Sequence, residues 1–305
     1  MKLLKNIVCT ASVLLGISAF AQQDPNRTFY RYNMNLINPA FAGSHSGSEG
    51  RLVSNGSELG INFRSQWSGV AGAPETQSVF FSTGLAKNVG LGLNIINDRT
   101  FIEQQTAIGV DVSYRVKVSN RTNLFFGVKA GATSYNANTD GLTTFGISED
   151  PSLINIEGGF RPAIGAGILF KGEEFFLALS APNLTTTERL EQESEEIRLG
   201  DSRTHMYFSG GYDINLSRNI IFKPSFITRY IDAAPLSIDL TAAFRFNERL
   251  ELGASYRLNE GIGGLLLFNA AKWLDFGYAY EAPFASEIVA SDNGTHELFI
   301  RFKSK

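Results

Sequence analysis

The chain has 305 residues, a formal net charge of −3, 43% hydrophobic residues, 30 glycines, 24 phenylalanines and a single cysteine. The near-neutral charge gives no electrostatic ground for a nucleic-acid partner. One cysteine excludes an internal disulfide and a thiolate metal site, while glycine and aromatic content with mean hydropathy near zero point to an all-β chain.

Residues 1–21 have the three parts of an export signal: Lys2 and Lys5, an apolar stretch from Ile7 to Ile17, and Ala19-Phe20-Ala21 before Gln22. The apolar stretch is shorter than the roughly 20 residues a membrane-spanning helix needs. Cys9 lies inside it, so the mature chain is expected to carry no cysteine. Residues 22–50 follow as a separate N-terminal segment, QQDPNRTFYRYNMNLINPAFAG over 22–43. Asn38 precedes Pro39 and is pushed towards extended geometry, and Gly43 permits positive φ. The box Asn38, Pro39, Ala40, Phe41 and Gly43 therefore suits a tight turn that docks. The expectation is a plug against or inside the periplasmic mouth, with Tyr30, Tyr32 and Phe41 packed.

Residues 51–305 read as a barrel. From Thr106 to Val118 the positions Ile108, Val110, Val112, Tyr114 and Val116 alternate with Gly109, Asp111, Ser113, Arg115 and Lys117. That period of two excludes a helix stripe, which would repeat near 3.6. The pattern returns at 236–246 and 250–258, and more weakly near 58–67, 76–85, 89–97, 123–135, 162–170, 174–181, 204–215, 220–230, 261–270, 274–281 and 296–302. This amounts to about fourteen strands.

Connections alternate in length. Lys87-Asn88, 119–122, 171–173, 217–219 and 247–249 are short, whereas 136–160, 182–203 and 282–295 are long. Short periplasmic turns, long outer loops and an even strand number describe a transmembrane antiparallel β-barrel of the outer membrane with both termini periplasmic. Closure removes sheet edges that lipid would not tolerate. The charges on the polar faces, Asp111, Arg115, Lys117, Asp239, Arg245, Glu251 and Arg257, are then assigned to the lumen. There they either pair as a filled interior or line an open pore.

Other features have ordinary readings. Trp67 beside Gly69 and Pro74 is a candidate docking residue, although an aromatic girdle explains it as well. Asp98-Arg99, at a strand end, reads as a loop ion pair, with partner binding as the alternative. The acidic run 188–198 lacks the spacing and central glycine of a calcium loop. His45, His205 and His296 form no ligand-spaced pair, so no metal is expected. Gly90-Leu91-Gly92 lacks the third glycine of a dinucleotide loop and suggests tight packing in a strand. With no Gly-x-Ser-x-Gly and no mature cysteine, neither an enzyme nor a cofactor is expected.

An ordered set of motifs carries a family resemblance: QQDP (22–25), the aromatic run 29–33, Ile37 to Gly43, NFRSQWSGVAGAPETQS (62–78), Gly90-Leu91-Gly92, Asn97-Asp98, Ala181-Pro182-Asn183-Leu184, Gly277-Tyr278-Ala279-Tyr280 and His296-Glu297-Leu298. With these the chain resembles the PorP/SprF family of type IX secretion outer-membrane proteins. Phe29-Tyr30-Arg31 departs from the family's usual phenylalanine-serine-glutamine run. The resemblance implies a barrel of about fourteen strands. It also implies a non-enzymatic role in exporting or anchoring cargo, such as an adhesin with a C-terminal domain, alongside periplasmic secretion components. A porin or small-molecule transporter is the alternative. A surface-adhesin anchor with no secretion role is a third reading.

Overall fold

In the computed structural model the described residues are 26–44, 56–139, 155–185, 204–232, 234–284 and 293–304. The expected export signal, His45 and the acidic run 188–198 lie outside them. The order of the long strands is β1 Ser57–Ser65, β2 Glu75–Ala86, β3 Val89–Thr100, β4 Glu103–Lys117, β5 Thr122–Ala137, β6 Arg161–Gly172 and β7 Phe175–Ala181. There follow β8 His205–Tyr212, β9 Ile220–Ile231, β10 Ser237–Phe246, β11 Leu250–Arg257, β12 Gly261–Ala271, β13 Leu274–Pro283 and β14 Thr295–Ser304. A short stretch, Ile214–Ser217, continues β8 along β9, and Ile156–Glu157 pairs with the end of β5. Every neighbour is antiparallel, and the 14 strands close into a barrel.

The seam joins the first strand to the last, from Ser57 opposite Ser304 to Ser65 opposite His296. Because successive strands reverse, all even-to-odd connections such as 87–88, 118–121, 173–174 and 247–249 do not share one parity by accident. The turns that join an even strand to the next odd one lie on the rim where β1 begins and β14 ends; the strand ends joined by the long segments 138–160, 182–204 and 284–294 lie on the opposite rim, together with the short hairpins 101–102 and 258–260.

The alternation read in the sequence is the alternation of the wall. On β4, Ile108, Val110, Val112 and Tyr114 are exposed by 42–53%, while Asp111 and Ser113 beside them are 1% and 2% exposed. An exposed apolar belt around a polar inner face is the arrangement lipid requires. Two strand ends differ from expectation. Asp98 and Arg99 remain in β3, paired with Gln105 and Gln104, because the hairpin turns later, at Phe101 (φ 54°). Trp67 does not close a strand: β1 ends at Ser65, and Trp67 stands in the loop with φ 47°. That is an uncommon conformation for a bulky residue.

Candidate functional site: a plug seated in the lumen

Residues 26–44 occupy the interior as three 3-10 turns, Tyr30–Tyr32, Met34–Leu36 and Pro39–Phe41. The third turn is specified locally. Asn38 is extended (φ −139°, ψ 110°), as a residue before proline should be, and its side chain accepts a hydrogen bond from Ala40 N at 2.9 Å. Pro39 takes the first position of the turn, where a missing N–H costs nothing. Phe29, Tyr30, Met34, Leu36, Ala40 and Phe41 pack with Phe80, Phe125, Leu169, Phe176 and Phe299 of the wall.

The wall makes room for this backbone with glycine. A Cβ on Gly90 would lie 2.1 Å from Ala42 O, one on Gly127 2.1 Å from Ala40 N, and one on Gly167 2.1 Å from Asn38 Oδ1. Gly43, with φ +65°, brings its own Cβ position to 2.6 Å from the Gly90 Cα. These contacts are too close for any side chain, so the plug rests directly on β3, β5 and β6.

Polar fasteners complete the circumference. Lys129 Nζ donates to Leu36 O (3.1 Å), Ser113 Oγ to Ala42 O (2.5 Å), Lys171 Nζ to Ser44 O (2.6 Å) and Asn35 Nδ2 to Glu58 (2.8 Å). Gly43 N donates to Ser82 Oγ at 2.9 Å, and Arg31 pairs with Asp213.

Charge clusters lie between these fasteners. In one, Arg64 bridges Glu281 (2.5 Å) and Glu297 (3.1 Å), and Arg257 reaches Asp239 (2.7 Å) and Glu281 (3.2 Å). Glu297 also accepts from Asn62 Nδ2 on β1 and from the Thr28 N–H of the plug, both at 2.7 Å. In a second, the Tyr32 hydroxyl donates to Glu251 (2.5 Å) and accepts from Lys223 (2.6 Å) and Arg245 (3.1 Å). The Arg301 guanidinium, paired with Asp275, lies 4.9 Å over the Tyr32 ring. A third joins Asp111 to Asn94 (2.7 Å) and Lys129 (3.8 Å). Buried ions of this kind are held by their pairing, and removal of one partner leaves the other uncompensated.

The residues singled out in the sequence separate into two groups. Asn38, Pro39, Ala40, Phe41 and Gly43 are in the plug, and Asp111, Asp239, Arg245, Glu251 and Arg257 face it within the clusters. Arg115 and Lys117 do not join them. Arg115 donates to Lys87 O and Lys117 is exposed, because β4 is 15 residues long and outruns the packed interior at the short-turn rim. Trp67 stands on the opposite rim, 37% exposed, where Ser68 N donates to Gly294 O. Sequence reasoning missed Arg64, Lys129, Lys223, Asp275, Glu281, Glu297 and Arg301. Arg64 was legible by parity, since Asn62 and Arg64 alternate with outward Ile61 and Phe63.

The plug crosses the lumen from rim to rim. Thr28 bonds Glu297 and Glu281, near the long-loop ends of β14 and β13, whereas Ser44 meets Lys171, the penultimate residue of β6 at the short-turn rim. Beside its first residues lies a cavity of about 30 Å³, lined among others by Arg27, Tyr30, Asn33, Arg229 and Asp239. At the same rim, partial burial raises the Glu260 carboxyl above its ordinary range. Among the described residues no three His, Cys, Asp or Glu side chains are grouped to hold a metal ion.

Against known proteins, the family described as type IX secretion system membrane protein PorP/SprF matches residues 19–302. No curated protein is a significant match. Among solved structures, Omp33 of Acinetobacter baumannii is similar over 83% of this chain and 100% of its own, at 10% identity and TM-score 0.44. The toluene transporter TbuX of Ralstonia pickettii is similar over 88% and 92%, at 10% identity and TM-score 0.49. A variant of the Rhodopseudomonas blastica porin is similar over 82% and 99%, at 8% identity and TM-score 0.36.

Proposed function

Because the chain belongs to the PorP/SprF family of type IX secretion system membrane proteins, we propose that it is a closed, non-enzymatic outer-membrane subunit of that apparatus. It acts by presenting fixed surfaces to secretion components and exported cargo, an adhesin with a C-terminal domain among them. The short-turn rim is the periplasmic face, and the long-loop rim, with Trp67, is the outer face. The observation that carries this reading is the filled lumen. Residues 26–44 are fastened to strands around the whole circumference, and the inward charges pair with one another and with the plug. An interior of this kind favours docking over solute passage.

The test is an in-frame deletion followed by quantitative comparison of secreted and surface proteins. Loss of one large surface protein identifies a dedicated cargo partner, and broad loss identifies a core component. An unchanged secretome would remove the secretion role. In planar bilayers the purified barrel should be silent, and a steady ohmic conductance would put the porin reading in its place.

A further inference from the structure

The plug has a direction. Its amino-terminal end is held by residues near the long-loop ends of their strands. Glu297 is the third residue of β14, Glu281 is third from the end of β13, and Arg64, which grips both carboxylates, is the penultimate residue of β1. Arg27 and Asn26 line the cavity shared with Arg229 and Ser237, which face each other where β9 ends and β10 begins. Its carboxy-terminal end is held at the other rim. Gly43 lies against Gly90, the second residue of β3, and Ser44 O accepts from Lys171. The descent is made early in the segment: the Tyr32 hydroxyl meets Glu251, the second residue of β11, and Asn35 meets Glu58, the second residue of β1, both at the short-turn rim.

From this we propose that the segment is threaded through the barrel, so that its two ends are reached from opposite sides of the membrane. The amino-terminal end, at Asn26, belongs with the long loops, and the carboxy-terminal end with the short turns. The proposal departs from the sequence expectation that both termini are periplasmic. A partner on the periplasmic side would meet the chain after Ser44, while a partner on the outer side would meet Asn26 and the residues before it. The naming of the sides rests on the functional reading above; the threading does not.

The experiment compares compartments in intact cells carrying the full-length protein. The mature chain is expected to contain no cysteine, so Asn26→Cys, Ala71→Cys on a long-rim loop and Asn120→Cys in a short turn each give one thiol. Each is probed with a membrane-impermeant maleimide before and after permeabilisation, counting only the heat-modifiable, folded band. An epitope inserted directly after Gln22, read with an antibody, gives the same answer without altering Asn26, and it decides if the cysteine variant does not fold. The expected result is that Asn26→Cys and the epitope behave as Ala71→Cys does, and Asn120→Cys oppositely. Behaviour shared with Asn120→Cys overturns the threading. If Ala71→Cys is reached only after permeabilisation, the assignment of faces fails instead, and the threading is still judged by which control Asn26→Cys follows.

Discussion

The seating of the plug on bare backbone makes a sharp prediction for Gly127→Ala. The new Cβ would lie 2.1 Å from Ala40 N and 2.3 Å from Pro39 C, whereas ordinary contact begins at 3.4 Å. Something must therefore move by more than 1 Å, and neither side yields easily. Gly127 is paired to Ser113 and Gly167 in the sheet, and Ala40 is capped by Asn38. Overpacking of this kind costs about 1–3 kcal/mol, which for a domain of this size lowers Tm by about 2–12 °C. Gly90→Ala, aimed at Ala42 O, should cost a similar amount. The double variant should cost less than the sum, since one displacement of residues 39–42 relieves both contacts. The control is Gly264→Ala on the outer wall, where an added Cβ meets nothing within 4 Å. Melting is followed by heat-modifiable mobility of the detergent-folded barrel. Equal melting temperatures for Gly127→Ala and Gly264→Ala would refute the seated plug.

Three further outcomes rest on the polar contacts and the rim. Arg64→Met removes the guanidinium paired with Glu297 and leaves Glu281 to Arg257 alone, and should cost about 3–5 kcal/mol by urea midpoint; adding Glu297→Gln should return part of the loss, and a purely additive pair would deny the coupling. Tyr32→Phe removes the hydroxyl at the centre of the Glu251, Lys223 and Arg245 cluster, for a loss of about 1–3 kcal/mol. That loss should be the same at low and high salt, because buried pairs are weakly screened; a loss that vanishes in salt would place the cluster in water. Trp67→Ala, at an exposed loop position, should change stability by no more than about 0.5 kcal/mol, so a secretion defect at unchanged Tm would assign Trp67 to docking.

The barrel was legible because a wall between lipid and a filled lumen forces a period of two on every strand. Thr106 to Val118 displays it without interruption. Loop parity was equally legible, since an antiparallel ring must place alternate connections on the same rim. Strand ends were less so: Asp98 and Arg99 resemble turn residues by type, yet they stay in β3 because Gln104 and Gln105 continue the ladder opposite them. The interior was legible only by face. Alternation assigns Asp239 and Glu251 to one side of a strand, but their partners come from register and barrel curvature. Arg257 is 18 positions from Asp239, whereas Glu297 is 233 from Arg64. Glycine was the least readable signal. Gly90 was legible as a place of tight packing, but Gly127 and Gly167 look like unremarkable strand glycines until the backbone of residues 38–42 is laid against them.

The Glu297 carboxylate joins parts of the chain that are made far apart in time. It lies on the last strand, and it receives Arg64 and Asn62 from the first strand and the Thr28 N–H from the segment ahead of both. Until β14 has been synthesised, the Arg64 guanidinium lacks one of its two carboxylates and the Thr28 N–H lacks its acceptor. Shutting the seam over a chain that stops short would bury those groups without their counterpart, at a cost of several kcal/mol. Closing the ring and satisfying these buried groups are therefore one event, and both wait on the same strand.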